Sequence, residues 1–70
     1  MYWCLETVYV FWDKINPQEL KEIILRSKNI DEYTIREKTA KILTQNITDE
    51  DLLKIKKELK NDKNYYVRRF

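Results

Sequence analysis

YWCLETVYVFW, residues 2–12, is the stretch of this 70-residue sequence that decides the predicted fold. Its side chains are mainly aromatic or β-branched, and only Glu6 and Thr7 are polar. Aromatic and β-branched residues are enriched in β-strands, and the segment lacks the polar stripe that marks the outer side of a surface helix. We therefore predict a long N-terminal strand that is apolar on both faces.

A second aromatic segment, YYVRRF at residues 65–70, predicts a short strand after the turn-forming residues 61–64. The two segments contain eight of the nine aromatic residues, which indicates that they pair with each other. Because two strands alone form a marginal sheet, we predict that the long strand also pairs with its copy in a homodimer.

Three helix-start signals lie between these segments. Asn16, followed by Pro17, is predicted to cap a first helix that runs to about Lys28, and Asp31 and Thr48 are predicted to cap the second and third. The caps are 15 and 17 residues apart, a spacing that an internal repeat and independent use of the same capping chemistry both explain. Residues at the helical period predict the core: Leu20, Ile23, Ile24 and Ser27, then Ile35, Thr39, Ile42 and Leu43, then Leu52, Ile55 and Leu59.

These elements predict one domain over residues 1–70, because a chain of this length buries a single core. Its class is α+β and its order is βαααβ, with the N- and C-terminal strands paired and three short helices on one face. The paired strands leave an edge for a second copy, so the predicted homodimer is mediated by strands.

The residue types that the sequence lacks exclude most catalytic chemistry. There is no His, the commonest general base and metal ligand, and no Gly, on which phosphate-cradling loops depend. The acidic run at residues 49–51 is typical of the first turn of a helix rather than of a metal site. We therefore predict a protein that is not an enzyme and that binds neither a cofactor nor a metal.

The N-terminal residues also bear on the cellular compartment. Cys4 is the only cysteine, and small secreted domains usually need several disulfides, which favours the cytoplasm. Glu6 interrupts the apolar stretch, and no run of about 20 apolar residues is present to span a membrane. We predict a cytoplasmic protein that does not enter membranes.

The preferred functional prediction is binding to another protein, because aromatic side chains dominate protein interfaces. A composition rich in Ile, Lys and Asn suggests an AT-rich genome, and the favoured role is a phage- or plasmid-encoded inhibitor or adaptor acting on a host protein. The alternative for any one aromatic residue is a place in the protein's own core. The predicted protein-interaction residues are Trp3, Tyr9, Phe11, Trp12, Tyr65 and Tyr66.

The alternative functional prediction is a small DNA- or RNA-binding regulator. Basic residues gather in the C-terminal third, where they would contact phosphates while Tyr65 and Tyr66 stack on bases. Against this, the net charge is only +2, and lysines near a helix C-terminus also complement the helix dipole. The predicted nucleic-acid-binding residues are Lys57, Lys60, Lys63, Arg68 and Arg69.

Overall fold

The computed structural model describes residues 2–70, with the backbone alone described at residue 2. These residues form five α-helices and one 3₁₀ turn: α1 (Tyr2–Phe11), the 3₁₀ turn (Trp12–Lys14), α2 (Pro17–Ser27), α3 (Tyr33–Ile42), α4 (Glu50–Lys60) and α5 (Tyr65–Arg68). No strand occurs between residues 2 and 70. The predicted α+β class, the βαααβ order and the strand-mediated dimer are therefore wrong, because the described chain is all-helical.

The N-terminal segment forms a helix because its inner residues follow the helical period. Leu5 and Val8, three positions apart, are almost completely buried, and Tyr9 packs against the same core. Glu6 forms an ion pair with Lys38 of α3. A largely apolar segment satisfies the period of a strand and that of a helix equally well. The strand prediction is wrong because it rests on the preference of aromatic and β-branched residues for β-strands, which does not decide between the two periods.

The C-terminal segment is also helical rather than extended. The side chain of Asn64 accepts a hydrogen bond from the backbone N–H of Tyr66 at 2.8 Å and so caps α5. Val67 is only 1% exposed and anchors this short helix in the core. Both segments that the aromatic residues predicted as strands are thus helices, and they do not pair as a sheet.

The three central helices lie where the sequence predicts them. Only one of the three predicted capping residues is right. Asn16 caps α2 by accepting a hydrogen bond from a backbone N–H at 2.8 Å. Asp49, and not Thr48, caps α4, and α3 follows Glu32 without any side-chain cap, so the prediction of Asp31 is wrong. Both corrections move the cap by one residue along the chain.

The helices form two layers. In the first layer α3 contacts both α1 and α5, and in the second layer α2 contacts α4. Because α3 also packs against α2 and α4, the core lies between the layers. The predicted core residues of the central helices are all buried except Ile23, which is half-buried. The apolar core comprises Leu5, Val8, Leu20, Ile24, Ile35, Ala40, Ile42, Leu43, Leu52, Ile55, Leu59 and Val67.

Arg36 of α3 is a buried charged residue whose hydrogen bonds join the two layers. Its Nε and Nη2 donate to the carboxylate of Asp62 at 2.8 and 3.3 Å, and its Nη1 donates to the carbonyl oxygens of Ile30 and Asp31 at 2.8 and 2.6 Å. Burial opposes ionisation of Asp62, but hydrogen bonds from Arg36 and from the Asn64 N–H outweigh it and lower the pKa of that carboxyl. This network fixes the α2–α3 turn against the end of α4.

Candidate protein-binding site

The side of α1 that points away from the core is almost entirely apolar. Trp3 is 79% exposed, Val10 62% and Phe11 52%. Cys4 and Thr7 are exposed beside them. Positions i, i+4, i+7 and i+8 share one side of a helix, so Trp3, Cys4, Thr7, Val10 and Phe11 form a continuous surface, which we call the outward face of α1.

The contacts that position α1 lie on its other sides. The Lys41 ammonium lies 4.8 Å from the centre of the Tyr9 ring, and the Gln45 amide donates to the Tyr9 carbonyl oxygen at 3.5 Å. Glu6, the only charged residue of α1, pairs with Lys38 of α3. The outward face therefore carries no charge, and it is held in place by α3.

The structure divides the predicted N-terminal interaction residues between two places. Trp3 and Phe11 lie on the outward face of α1, together with Val10, which the sequence analysis did not select. Tyr9 is half-buried against the core and Trp12 lines a neighbouring groove, so neither belongs to that face. The sequence does not indicate that Val10 faces outward, because both of its neighbours are also apolar.

The groove beside Trp12 has a volume of about 390 Å³. Its lining residues are Trp12, Asp13, Ile15, Pro17, Leu20, Asn46, Ile47, Thr48, Asp49 and Leu52. Lys21 pairs with Asp49 at 3.3 Å and with Asp51 at 3.2 Å. Hydrogen bonds to Asp51 and Asp49 raise the pKa of Lys21. Two of the carboxylates at the start of α4 are thus paired with one lysine of α2.

Tyrosine rings and guanidinium groups form an exposed cluster where α3 meets α5. The centre of the Tyr66 ring lies 5.9 Å from that of Tyr33 and 5.7 Å from that of Tyr65. Arg68 lies over the Tyr65 ring at 5.9 Å, and Arg69 lies over the Tyr66 ring at 5.5 Å. The three tyrosines are exposed. We call these five residues the tyrosine–arginine cluster.

This cluster contains two of the predicted nucleic-acid-binding residues. Arg69 is paired with Glu37 at 3.5 Å, and Arg68 Nη1 donates to the carbonyl oxygens of Asp62 and Lys63 at 3.2 and 3.1 Å. The predicted lysines are exposed on α4 or in the turn that follows it: Lys57, Lys60 and Lys63. Both arginines therefore make contacts inside the protein, whereas the side chains of the three lysines are exposed.

No protein-family model, curated protein or solved structure matches the chain. Among residues 2–70, no group of three His, Cys, Asp or Glu side chains could hold a metal ion. Within the same residues, no helix is long and apolar enough to cross a membrane, and this includes α1. The outward face of α1 and the tyrosine–arginine cluster are the two surfaces on which exposed aromatic side chains gather.

Proposed function

We propose that the protein is a non-enzymatic binding module that docks on other proteins through the outward face of α1. The supporting observation is that α1 is apolar on its inner and its outer side, although only the inner side is buried. Helices that are apolar all round are normally covered on all sides. Aromatic side chains such as Trp3 and Phe11 are the usual anchors of protein interfaces, and docking removes their surface from water.

The partner surface that fits this face is itself apolar and uncharged. A charged partner group would lose its hydration without gaining an opposite charge, because Lys38 and Lys41 of α3 are directed to Glu6 and to the Tyr9 ring. A small module of this kind acts by occupying a surface of its partner. The proposed role is that of an inhibitor or adaptor, encoded by a phage or plasmid and acting on a host protein.

A photoreactive amino acid at position 10 tests this function. With benzoylphenylalanine in place of Val10, irradiation of the protein, alone or in a cell lysate, should give covalent adducts with protein. The same replacement of Lys54, which is exposed on α4, is the matched control and should give far fewer adducts. Adding Trp3→Glu should suppress the adducts at position 10. Equal yields at both positions would contradict the proposal.

The tyrosine–arginine cluster supports a second candidate, the binding of single-stranded nucleic acid. Exposed tyrosine rings stack on bases, and arginines beside them attract phosphates. Arg68 and Arg69 already contact backbone carbonyls and Glu37, so contact with phosphate competes with contacts inside the protein. For this reason protein binding remains the preferred function.

Fluorescence anisotropy of a labelled single-stranded oligonucleotide tests the second candidate. If the cluster binds nucleic acid, the affinity should fall steeply between about 50 and 200 mM salt. It should be lost in the double variant Arg68→Gln and Arg69→Gln. The control double variant Lys14→Gln and Lys54→Gln removes the same charge elsewhere and should retain most of the affinity. Absence of binding at low salt rejects this candidate and leaves docking through α1 unaffected.

A further inference from the structure

The α2–α3 turn and the α4–α5 turn share a set of hydrogen bonds, shifted by 32 residues. Arg36 Nη1 donates to the carbonyl oxygens of residues 30 and 31, and Arg68 Nη1 donates to those of residues 62 and 63. The residue before each arginine is buried in the core. The two arginines therefore make equivalent hydrogen bonds to the backbone of their turns.

The two asparagines that precede these turns are equivalent as well. The Asn29 side chain donates to the Leu25 carbonyl oxygen at 3.2 Å, and the Asn61 side chain donates to the Lys57 carbonyl oxygen at 3.3 Å. Backbone hydrogen bonds on either side of each turn also recur with the same shift. The turns differ at the helix cap, because Asn64 accepts a hydrogen bond with its side chain and Glu32 does not. Shared capping chemistry explains one match, but side-chain and backbone hydrogen bonds that recur together with one shift indicate a repeated unit.

The contacts between neighbouring helices of the first layer each include an ion pair. Glu6 of α1 pairs with Lys38 of α3, and Glu37 of α3 pairs with Arg69 just after α5. The second pair follows the first by 31 positions, one fewer than the shift that relates the two turns. α1 thus meets α3 much as α3 meets α5, which describes a stack of like units that touch only their neighbours.

We infer that the chain is a stack of 32-residue helical units and that the outward face of α1 binds the same face of a second copy. This inference rests on the proposed function, because it uses the same face, so a second copy and the host protein compete for it. Proteins built of stacked helical repeats stay soluble as single chains when the terminal helix has a polar outer side. The outward face of α1 is apolar instead, and it continues the layer in which α3 covers α1 and contacts α5.

The chemistry of the two ends favours pairing through α1 on a two-fold axis. The outward face is uncharged and so matches itself, whereas the opposite end of the layer carries Lys63, Arg68 and Arg69. If the α5 end of one copy stacked on α1 of another, these cations would lie against an apolar surface. Two-fold dimers through identical surfaces are also the commonest oligomers.

Thr7 marks the axis of this dimer. It is the small residue in the middle of the outward face, between Trp3 and Phe11. Antiparallel pairing about Thr7 brings each Trp3 against Phe11 of the partner subunit. A ten-residue helix is only about 15 Å long, so the interface is smaller than that of a standard stable complex. We expect reversible dimerisation in the micromolar range.

Sedimentation equilibrium of the purified protein tests the dimer. The mass should rise from monomer to dimer as the concentration increases, and Val10→Lys should shift this transition at least tenfold higher in concentration. Leu53→Lys is the matched control, because Leu53 is an exposed leucine on α4, and it should change nothing. A monomer at all concentrations up to the millimolar range, or a dimer unaffected by Val10→Lys, would overturn the inference.

A disulfide tests the position of the axis. Oxidation of the variant with Thr7→Cys and Cys4→Ser should give a covalent dimer, since residues facing each other across a two-fold axis lie within disulfide reach. The variant with Lys54→Cys and Cys4→Ser should give no covalent dimer. No covalent dimer in the first variant would contradict this pairing.

The photochemical experiment separates the two proposals. Adducts of position 10 with other proteins but never with a second copy would reject the homodimer and keep the binding module. A lack of any adduct would reject both.

Discussion

The α2–α3 turn and the α4–α5 turn, residues 29–36 and 61–68, share the hydrogen bonds of their arginines and asparagines but differ in burial. Arg36 is 7% exposed and is bound by Asp62, whereas Arg68 is exposed and binds only backbone carbonyls and lies over a tyrosine ring. The local sequence therefore fixes the direction of each arginine, whereas the carboxylate of Asp62 accompanies the burial of Arg36. This ion pair joins the two ends of one unit, residues 33–64, and so stabilises the unit itself.

The largest expected effect is that of inserting a second copy of residues 33–64 after Asn64. If the turns belong to repeated units, the longer chain gains one unit and one interface, so its free energy of unfolding should rise. The urea m-value should increase by roughly half, in proportion to the added surface. Circular dichroism should show the same helix content per residue.

A copy of residues 39–64 inserted at the same place is the control, because it starts in the middle of α3. This out-of-phase chain should lose cooperative unfolding. If both insertions changed the stability and the cooperativity of unfolding equally, the two turns would not belong to repeated units.

The next largest effect is the difference between Arg36→Met and Arg68→Met. Loss of Arg36 leaves the carboxylate of Asp62 buried without its partner, and we expect a destabilisation of about 3 kcal/mol. Loss of Arg68 removes an exposed group, and we expect less than about 1 kcal/mol. Urea denaturation of both variants measures this difference. Equal losses would show that Asp62 contributes little to the stack.

The pH dependence of stability sharpens the same comparison. The folded-state pKa of Asp62 is lowered, so its contribution is present at neutral pH and is lost as the pH falls through that value. Asp62→Asn should therefore destabilise the protein at pH 7. The difference between variant and parent should shrink below about pH 4. A difference that stays constant from pH 7 to pH 3 would contradict the role of the carboxylate charge.

The smallest effect is expected at the two equivalent asparagines. Asn29→Ala and Asn61→Ala each remove one exposed hydrogen bond to a helix carbonyl, which costs about 0.5 to 1 kcal/mol. Thermal unfolding should give equal losses for the two variants. A large inequality would mean that the turns are not equivalent in energy.

The three central helices could be predicted from the sequence because their signals are local. Asn16 with Pro17 starts α2, and the buried residues of each helix follow its period. The helical state of residues 2–12 could not be predicted, because both sides of α1 are apolar and its period is hidden. The burial of Leu5 and Val8 and the contacts of Tyr9 and Glu6 with α3 distinguish the inner side from the outer one.

The candidate site was predictable only in part, for the same reason. Trp3 and Phe11 were selected as aromatic residues, but so were Tyr9 and Trp12, which the fold turns toward the core and the groove. The repeat left a trace in the sequence, since Asn29 and Arg36 recur 32 positions later as Asn61 and Arg68. Its recognition needed the equivalent hydrogen bonds, because few residues of the two units are identical.

The ion pairs of the described residues have a consequence for how the protein folds. In each of them the two residues are between 26 and 32 positions apart, about the length of one unit. No such pair requires the two ends of the chain to meet, so the entropy of loop closure stays modest. Folding can therefore start in either unit and spread to its neighbour, and we expect it to be complete within microseconds to milliseconds.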